Sequence, residues 1–117
     1  MYRASRRFKF EAAHALSHLA SAHACHGVHG HSYRVTLTLE SETLSELGLV
    51  GLPFAWNAFG AYLATTLDGR NLSDVLRNDA TAENLAAHLF NVAKGFGLEP
   101  ASVTVEQGDD VAAEFRP

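Results

Sequence analysis

The chain has 117 residues and a mass of 12.6 kDa, one domain's worth of length, and its 47% hydrophobic and 19% charged residues exclude a disordered or membrane-dominated chain. Nine basic against thirteen acidic residues leave a net charge of −4, which lacks the basic stripe a nucleic-acid partner requires. The single cysteine, Cys25, excludes an internal disulfide, and no apolar run follows the N-terminal arginines, so the expectation is a cytoplasmic protein with no membrane partner. Against this ordinary background stand seven histidines, six of which (His14, His18, His23, His26, His29 and His31) fall within 18 residues.

In chain order, Phe8 to His14 has the two-residue period of a strand, with Phe8, Phe10, Ala12 and His14 on one side. The segment His29 to Glu40 alternates more cleanly: Tyr33, Val35, Leu37 and Leu39 oppose Ser32, Arg34, Thr36, Thr38 and Glu40. Continuing that parity backward puts His29 and His31 on the apolar side. After a polar stretch from Ser41 to Gly51, Pro53 precedes a predicted helix over Phe54 to Leu67, with Phe59, Tyr62, Leu63 and Leu67 at helical spacing. A loop follows from Asp68 to Ala80. Thr81 is the expected N-cap of a second helix carrying Leu85, Leu89, Val92 and Phe96 along one stripe, which Gly95, Gly97 and Pro100 end. Ser102 to Gln107 and Val111 to Phe115 read as two short strands around the turn Gly108-Asp109-Asp110. The order strand, strand, helix, helix, strand, strand predicts an α+β domain over residues 1–117, a four-stranded antiparallel sheet with two helices on one face. Its edges and second face would lie uncovered, which makes assembly with further copies physically attractive.

The chemistry concentrates in the histidines. Zinc takes tetrahedral nitrogen or sulfur ligands, and a catalytic site keeps one position open beside three protein ligands. His29 and His31 on one strand face, with His14 on the neighbouring strand, satisfy that need. Cys25 is either a fourth ligand closing a structural site or a thiolate acting beside an open one. His18, His23 and His26 read as solvated loop residues, and His88 as a surface or interhelical residue of helix two.

The run Phe8-Lys9-Phe10-Glu11-Ala12-Ala13-His14, followed by Cys25-His26-Gly27-Val28-His29-Gly30-His31-Ser32, resembles the F-x-F-x-A-A-H and C-x-x-x-H-G-H-S signature of the 6-pyruvoyltetrahydropterin synthase and 6-carboxytetrahydropterin synthase family. Weaker matches extend through Leu67-Asp68, Thr81 to Ala86 and Val103 to Gln107, over nearly the whole chain. The resemblance implies a T-fold whose trimers close into barrels, commonly stacked as hexamers, with active sites at subunit interfaces. It implies zinc on His14, His29 and His31, polarising the side-chain oxygens of dihydroneopterin triphosphate, and Cys25 as the proton-abstracting thiolate. Asp68 falls at the acid of the family's Asp-His pair. Thr81 keeps the helix start whose backbone lines the pterin pocket, although it also suits ordinary capping.

Two positions depart from that pattern. The histidine expected after Asp68 is Gly69, which leaves the proton relay incomplete; such groups typically contribute about 10²- to 10⁴-fold each. The late-strand glutamate that accepts pterin N–H protons aligns with Gln107, whose amide offers one acceptor and one donor. Glu106 would point to the opposite sheet face unless a bulge near Gly108 intervened. A lesser change is Leu52-Pro53 in place of the family's Asp-Phe. The sequence therefore supports a zinc-dependent lyase on a reduced pterin. Two other readings are a divergent homologue with a different heterocyclic substrate and a non-catalytic, zinc-bearing scaffold.

Overall fold

The structure, a computed structural model, describes residues 1–117. Its strands and helices are β1 (Tyr2–His14), β2 (His29–Ser41), α1 (Pro53–Tyr62), α2 (Ala82–Gly95), β3 (Pro100–Gln107) and β4 (Val111–Phe115). The four strands form one antiparallel sheet in the order β1-β2-β3-β4, with both helices on one face, as the alternation predicts. The family's strand and helix order is thus present in full. No helix is long and apolar enough to cross a membrane.

Several boundaries differ from the sequence expectation, each for a physical reason. β1 begins at Tyr2 rather than Phe8, because Tyr2 to Arg7 pair in unbroken register with Thr36 to Ser41 although their own alternation is weak. Arg6 occupies a helix-facing position there, with its guanidinium 5.0 Å from the centre of the Trp56 ring. The predicted first helix splits into α1 and a π-helical turn over Leu63–Leu67, closed by Asp68 N–H donating to Leu63 O. Leu63 and Leu67 are both buried there, and the turn packs against β1. On α2 the buried stripe is Leu85, Ala86, Leu89, Phe90 and Ala93; Val92 is half-buried, and Phe96 lies exposed beyond the last turn. The correct face is therefore one step around the helix from the expected one.

The core lies between the helices and the inner sheet face, where Val35, Leu37, Val103 and Val105 meet Phe59, Leu63, Leu85 and Leu89, all fully or nearly fully buried. The segment expected as an irregular loop after Asp68 is well tethered. Gly69 N–H donates to Glu11 O at 2.7 Å, Ala13 N–H to Arg70 O at 2.9 Å, and Glu11 N–H to the Asp68 carboxylate at 2.9 Å. A 3-10 turn follows at Leu72–Asp74, with the Asn71 side chain accepting from Ser73 N–H. This segment therefore covers the end of β1's outer edge beside His14.

Candidate metal centre

The antiparallel register sets His14, the last residue of β1, directly opposite His29, the first of β2. His31 faces Ala12, whose methyl group leaves space for an imidazole on the helix side of the sheet. The three rings pack edge to face, with centroids 4.5 Å apart for His14 and His29 and 4.9 Å for each of the other pairs. One nitrogen from each lies within 4.8 Å of the others, a group that could hold a metal ion. Cys25 stands outside this group.

Two of the three tautomers follow from backbone partners. A carbonyl can only accept, so His14 Nδ1–H donates to Ala80 O at 2.6 Å and His29 Nδ1–H donates to Gly27 O at 2.8 Å. Both Nε2 atoms then carry lone pairs, yet they face each other at 2.9 Å. Two lone pairs at that distance repel unless a cation lies between them. On the third ring, His31, Nε2 is buried with no hydrogen-bond partner. Nitrogens bound to zinc at about 2.0–2.1 Å in tetrahedral directions stand about 3.3 Å apart, so small adjustments would bring all three onto one ion. The donor set fits a metal, and the carbonyls that hold Nδ1 are the outer partners such ligands require. Burial, the main cause, and the neighbouring imidazoles hold His14 and His31 below the ordinary histidine pKa, which keeps their lone pairs available at neutral pH.

The other predicted site residues are distributed around this centre. Cys25 is half-buried on the loop between β1 and β2, held by its N–H donating to His23 Nδ1 at 3.0 Å and by its carbonyl accepting from Leu16 N–H at 2.9 Å. His26 Nδ1–H donates to Leu19 O in the same loop, and His18 lies 3.3 Å from Asp79. Asp68, exposed, clasps Glu11 N–H, and Gly69 adopts φ +72° with open space where a Cβ would stand. A cavity of about 520 Å³, lined in part by Glu11, His31, Ser32, Gly69 and Arg70, opens there. Thr81 caps α2, its hydroxyl accepting from Asn84 N–H at 3.1 Å, one residue after the carbonyl that orients His14.

Gln107 ends β3 opposite Tyr33 on the helix side, whereas Glu106 points to the other face, 3.6 Å from Arg34. The β2–β3 register runs unshifted from Tyr33 to Thr38, and Gly108 N–H continues it to Ser32 O, so no bulge brings Glu106 around. His88 lies outside the three-histidine group and shares a 2.7 Å hydrogen bond between its Nε2 and the Tyr62 hydroxyl, between the helices. Sequence reasoning missed the carbonyls of Gly27 and Ala80, which carry no residue-type signal. It also passed over Tyr33, which shares the strand parity of His31. That side chain stacks on Phe10 and is buried, and burial pushes its pKa up to about 12, leaving it a neutral phenol.

Comparison with known proteins agrees with this architecture. The family model of 6-pyruvoyl tetrahydropterin synthase matches residues 3–117. Among solved structures, 6-pyruvoyl tetrahydropterin synthase of Caenorhabditis elegans superposes with a TM-score of 0.84 at 23% identity, covering 99% of this chain and 95% of that one. An uncharacterized protein of Wolinella succinogenes gives 0.80 at 18% identity, with coverage of 98% and 97%. The Plasmodium falciparum 6-pyruvoyl tetrahydropterin synthase gives 0.72 at 15% identity, with coverage of 99% and 97%. At these identities the structural likeness establishes the fold.

Proposed function

Because the chain belongs to the 6-pyruvoyl tetrahydropterin synthase family, we propose that it is a zinc-dependent lyase acting on dihydroneopterin triphosphate or a related reduced pterin. The observation that carries this reading is the convergence of three imidazoles, two with their Nε2 lone pairs fixed by backbone carbonyls and the third with its Nε2 buried without a partner. His14, His29 and His31 hold the ion. When bound, zinc supplies Lewis acidity toward the substrate's side-chain oxygens and makes the adjacent C–H protons more acidic. Cys25 is the proton acceptor, its sulfur taking a proton from the substrate side chain. Asp68 serves the same proton transfer and holds its loop on β1 through Glu11 N–H. The Thr81 backbone and the Gln107 amide receive the heterocycle.

A second reading is favoured by Gln107 and Gly69. With the β2–β3 register unshifted, no carboxylate replaces the missing glutamate from β3. A pterin edge that presents only N–H donors would face the amide's own donor, at a cost of roughly 1.5–3 kcal/mol. A heterocycle offering one acceptor beside one donor fits that amide better, so the same metal and cysteine would act on a different base edge.

Assembly into a trimer, or a dimer of trimers, in the cytoplasm belongs to the same proposal. It is supported by the free edges of β1 and β4. The test is incubation of zinc-loaded protein with dihydroneopterin triphosphate, with products followed by chromatography. Conversion well above a Cys25→Ala control is expected; none would overturn the pterin lyase. Introducing Gly69→His together with Gln107→Glu should raise pterin turnover, and an unchanged rate would count against the account of the two departures. Turnover that survives both metal removal and loss of Cys25 would sink both catalytic readings.

A further inference from the structure

Only two buried side-chain polar atoms in the chain lack a hydrogen-bond partner, His31 Nε2 and the Tyr33 hydroxyl. They belong to residues on the same face of β2, two positions apart, which puts their side chains next to each other. The first is accounted for by the metal. The second is not: Tyr33 is 1% exposed, and a buried hydroxyl without a partner forfeits its hydration with nothing in return. Phenylalanine would fill the same space, stack equally well on Phe10, whose ring lies 5.1 Å away at 8°, and incur no such penalty.

The surroundings of the ring indicate what the hydroxyl serves. Tyr33 packs edge to face against His31 at 5.9 Å and against His14 at 6.3 Å, so two of the three histidines rest on it. Its cross-strand neighbours on the same face are Phe10 and Gln107. The phenol is therefore enclosed by aromatic surface and by the histidine centre. In a site with three protein ligands, the open side is where an oxygen from water or substrate enters. The Tyr33 O–H, on a ring packed against two of the three histidines and without a partner in the protein, would find an acceptor in an oxygen held there.

We propose that Tyr33 is a positioning residue of the three-histidine centre, its hydroxyl held free of protein partners so that it donates to an oxygen of the ligand occupying the open side. The assignment rests on the metal reading above and deepens it. It makes the β2 face a continuous device in which His29 and His31 bind the ion and Tyr33 orients what the ion binds. Ligands with an oxygen acceptor are favoured over those bound through nitrogen or sulfur.

The experiment compares wild type, Tyr33→Phe and His31→Ala as full-length chains, metal-free and loaded with Co²⁺ or Zn²⁺. In the metal-free state Tyr33→Phe should unfold at a temperature equal to or above that of wild type, because it removes an unsatisfied buried donor. In the Co²⁺-loaded state its visible absorption bands should differ from wild type, and its Zn²⁺ affinity should fall about tenfold, as for loss of an outer-sphere partner. Superimposable Co²⁺ spectra with unchanged Zn²⁺ affinity would overturn the assignment while leaving the metal site intact. A clear fall in metal-free unfolding temperature would overturn it too, by showing that the hydroxyl is bonded within the fold. Wild-type protein that binds metal no better than His31→Ala would remove the metal reading itself, and the role of Tyr33 with it.

Discussion

At the scale of single residues, the centre depends on tautomers as much as on residue type. A free imidazole can present either nitrogen, and the carbonyls of Ala80 and Gly27 select Nε2 as the inward lone pair on His14 and His29. The expected consequence is about one zinc per chain by elemental analysis, falling close to zero in His29→Ala. Saturating zinc at 100 times its Kd should add about 2.7 kcal/mol of stability to wild type and almost none to that variant. His88 gives a pH dependence away from the three-histidine centre. Burial lowers its pKa, and the neutral ring shares a hydrogen bond with the Tyr62 hydroxyl. The unfolded chain binds a proton near pH 6.5 that the folded chain resists. This contribution is thus fully present above 6.5 and is lost as pH falls below it toward the folded pKa. Tyr62→Phe should cost about 1 kcal/mol near neutral pH, and His88→Gln should flatten the acid side of a plot of unfolding temperature against pH. The histidine trio was legible from strand parity, since a two-residue period leaves His14, His29 and His31 no other face. Their carbonyl partners were not, because Ala80 comes to His14 across 66 positions of chain.

At the scale of elements, the clean alternation of β2 was easier to read than the weak alternation at the start of β1 or the buried faces of the helices. Alternation is a local property, and β2 matches its expected range to within one residue. The π-helical turn at Leu63–Leu67 has the same apolar spacing as an α-helix, and only the bond from Asp68 N–H back to Leu63 O reveals the wider turn. On α2 the stripe through Val92 and Phe96 and the stripe through Ala86, Phe90 and Ala93 are comparable by sequence. Contact with β3 and β4, where Phe90 meets Phe115 at 5.0 Å, chooses the second. The polar segment before α1 conceals a tight approach. Gly51 has φ +75°, and a Cβ there would stand 2.7 Å from Leu39 Cδ1 and 2.9 Å from Trp56 Nε1. Gly51→Ala should therefore destabilise by about 2–4 kcal/mol from backbone strain and overpacking combined. Gly97→Ala, with a similar φ but open space, should lose only the roughly 1–2 kcal/mol of the strain, as read by denaturant unfolding. Removing the cap with Thr81→Ala should cost about 1 kcal/mol.

At the scale of the whole molecule, the chain is elongated, 54 by 25 by 25 Å, with a radius of gyration of 15.1 Å where a compact domain of this length has about 13 Å. Its accessible surface of 6855 Å² exceeds the roughly 6,200 Å² typical of a monomer of its mass. Such an excess is what the proposed assembly with further copies would cover. The bonds from Glu11 O and Ala13 N–H to the 69–71 segment show that odd-numbered backbone groups of β1 point outward, so Arg3, Ser5, Arg7 and Lys9 offer the free edge. Arg7→Pro removes one outward N–H without removing a β1–β2 hydrogen bond. It should convert a multiple of 12.6 kDa in light scattering to the single-chain mass while leaving the circular dichroism spectrum largely unchanged. By itself the sequence determined the order of elements, the inward face of each strand and the three histidines, because residue period and type are local and survive without a partner. Only the tertiary structure decided which nitrogens converge, which face of α2 is buried, that Glu106 stays on the far side of the sheet, and that Tyr33 is left without a partner. Each of these depends on groups distant in sequence competing for the same buried space.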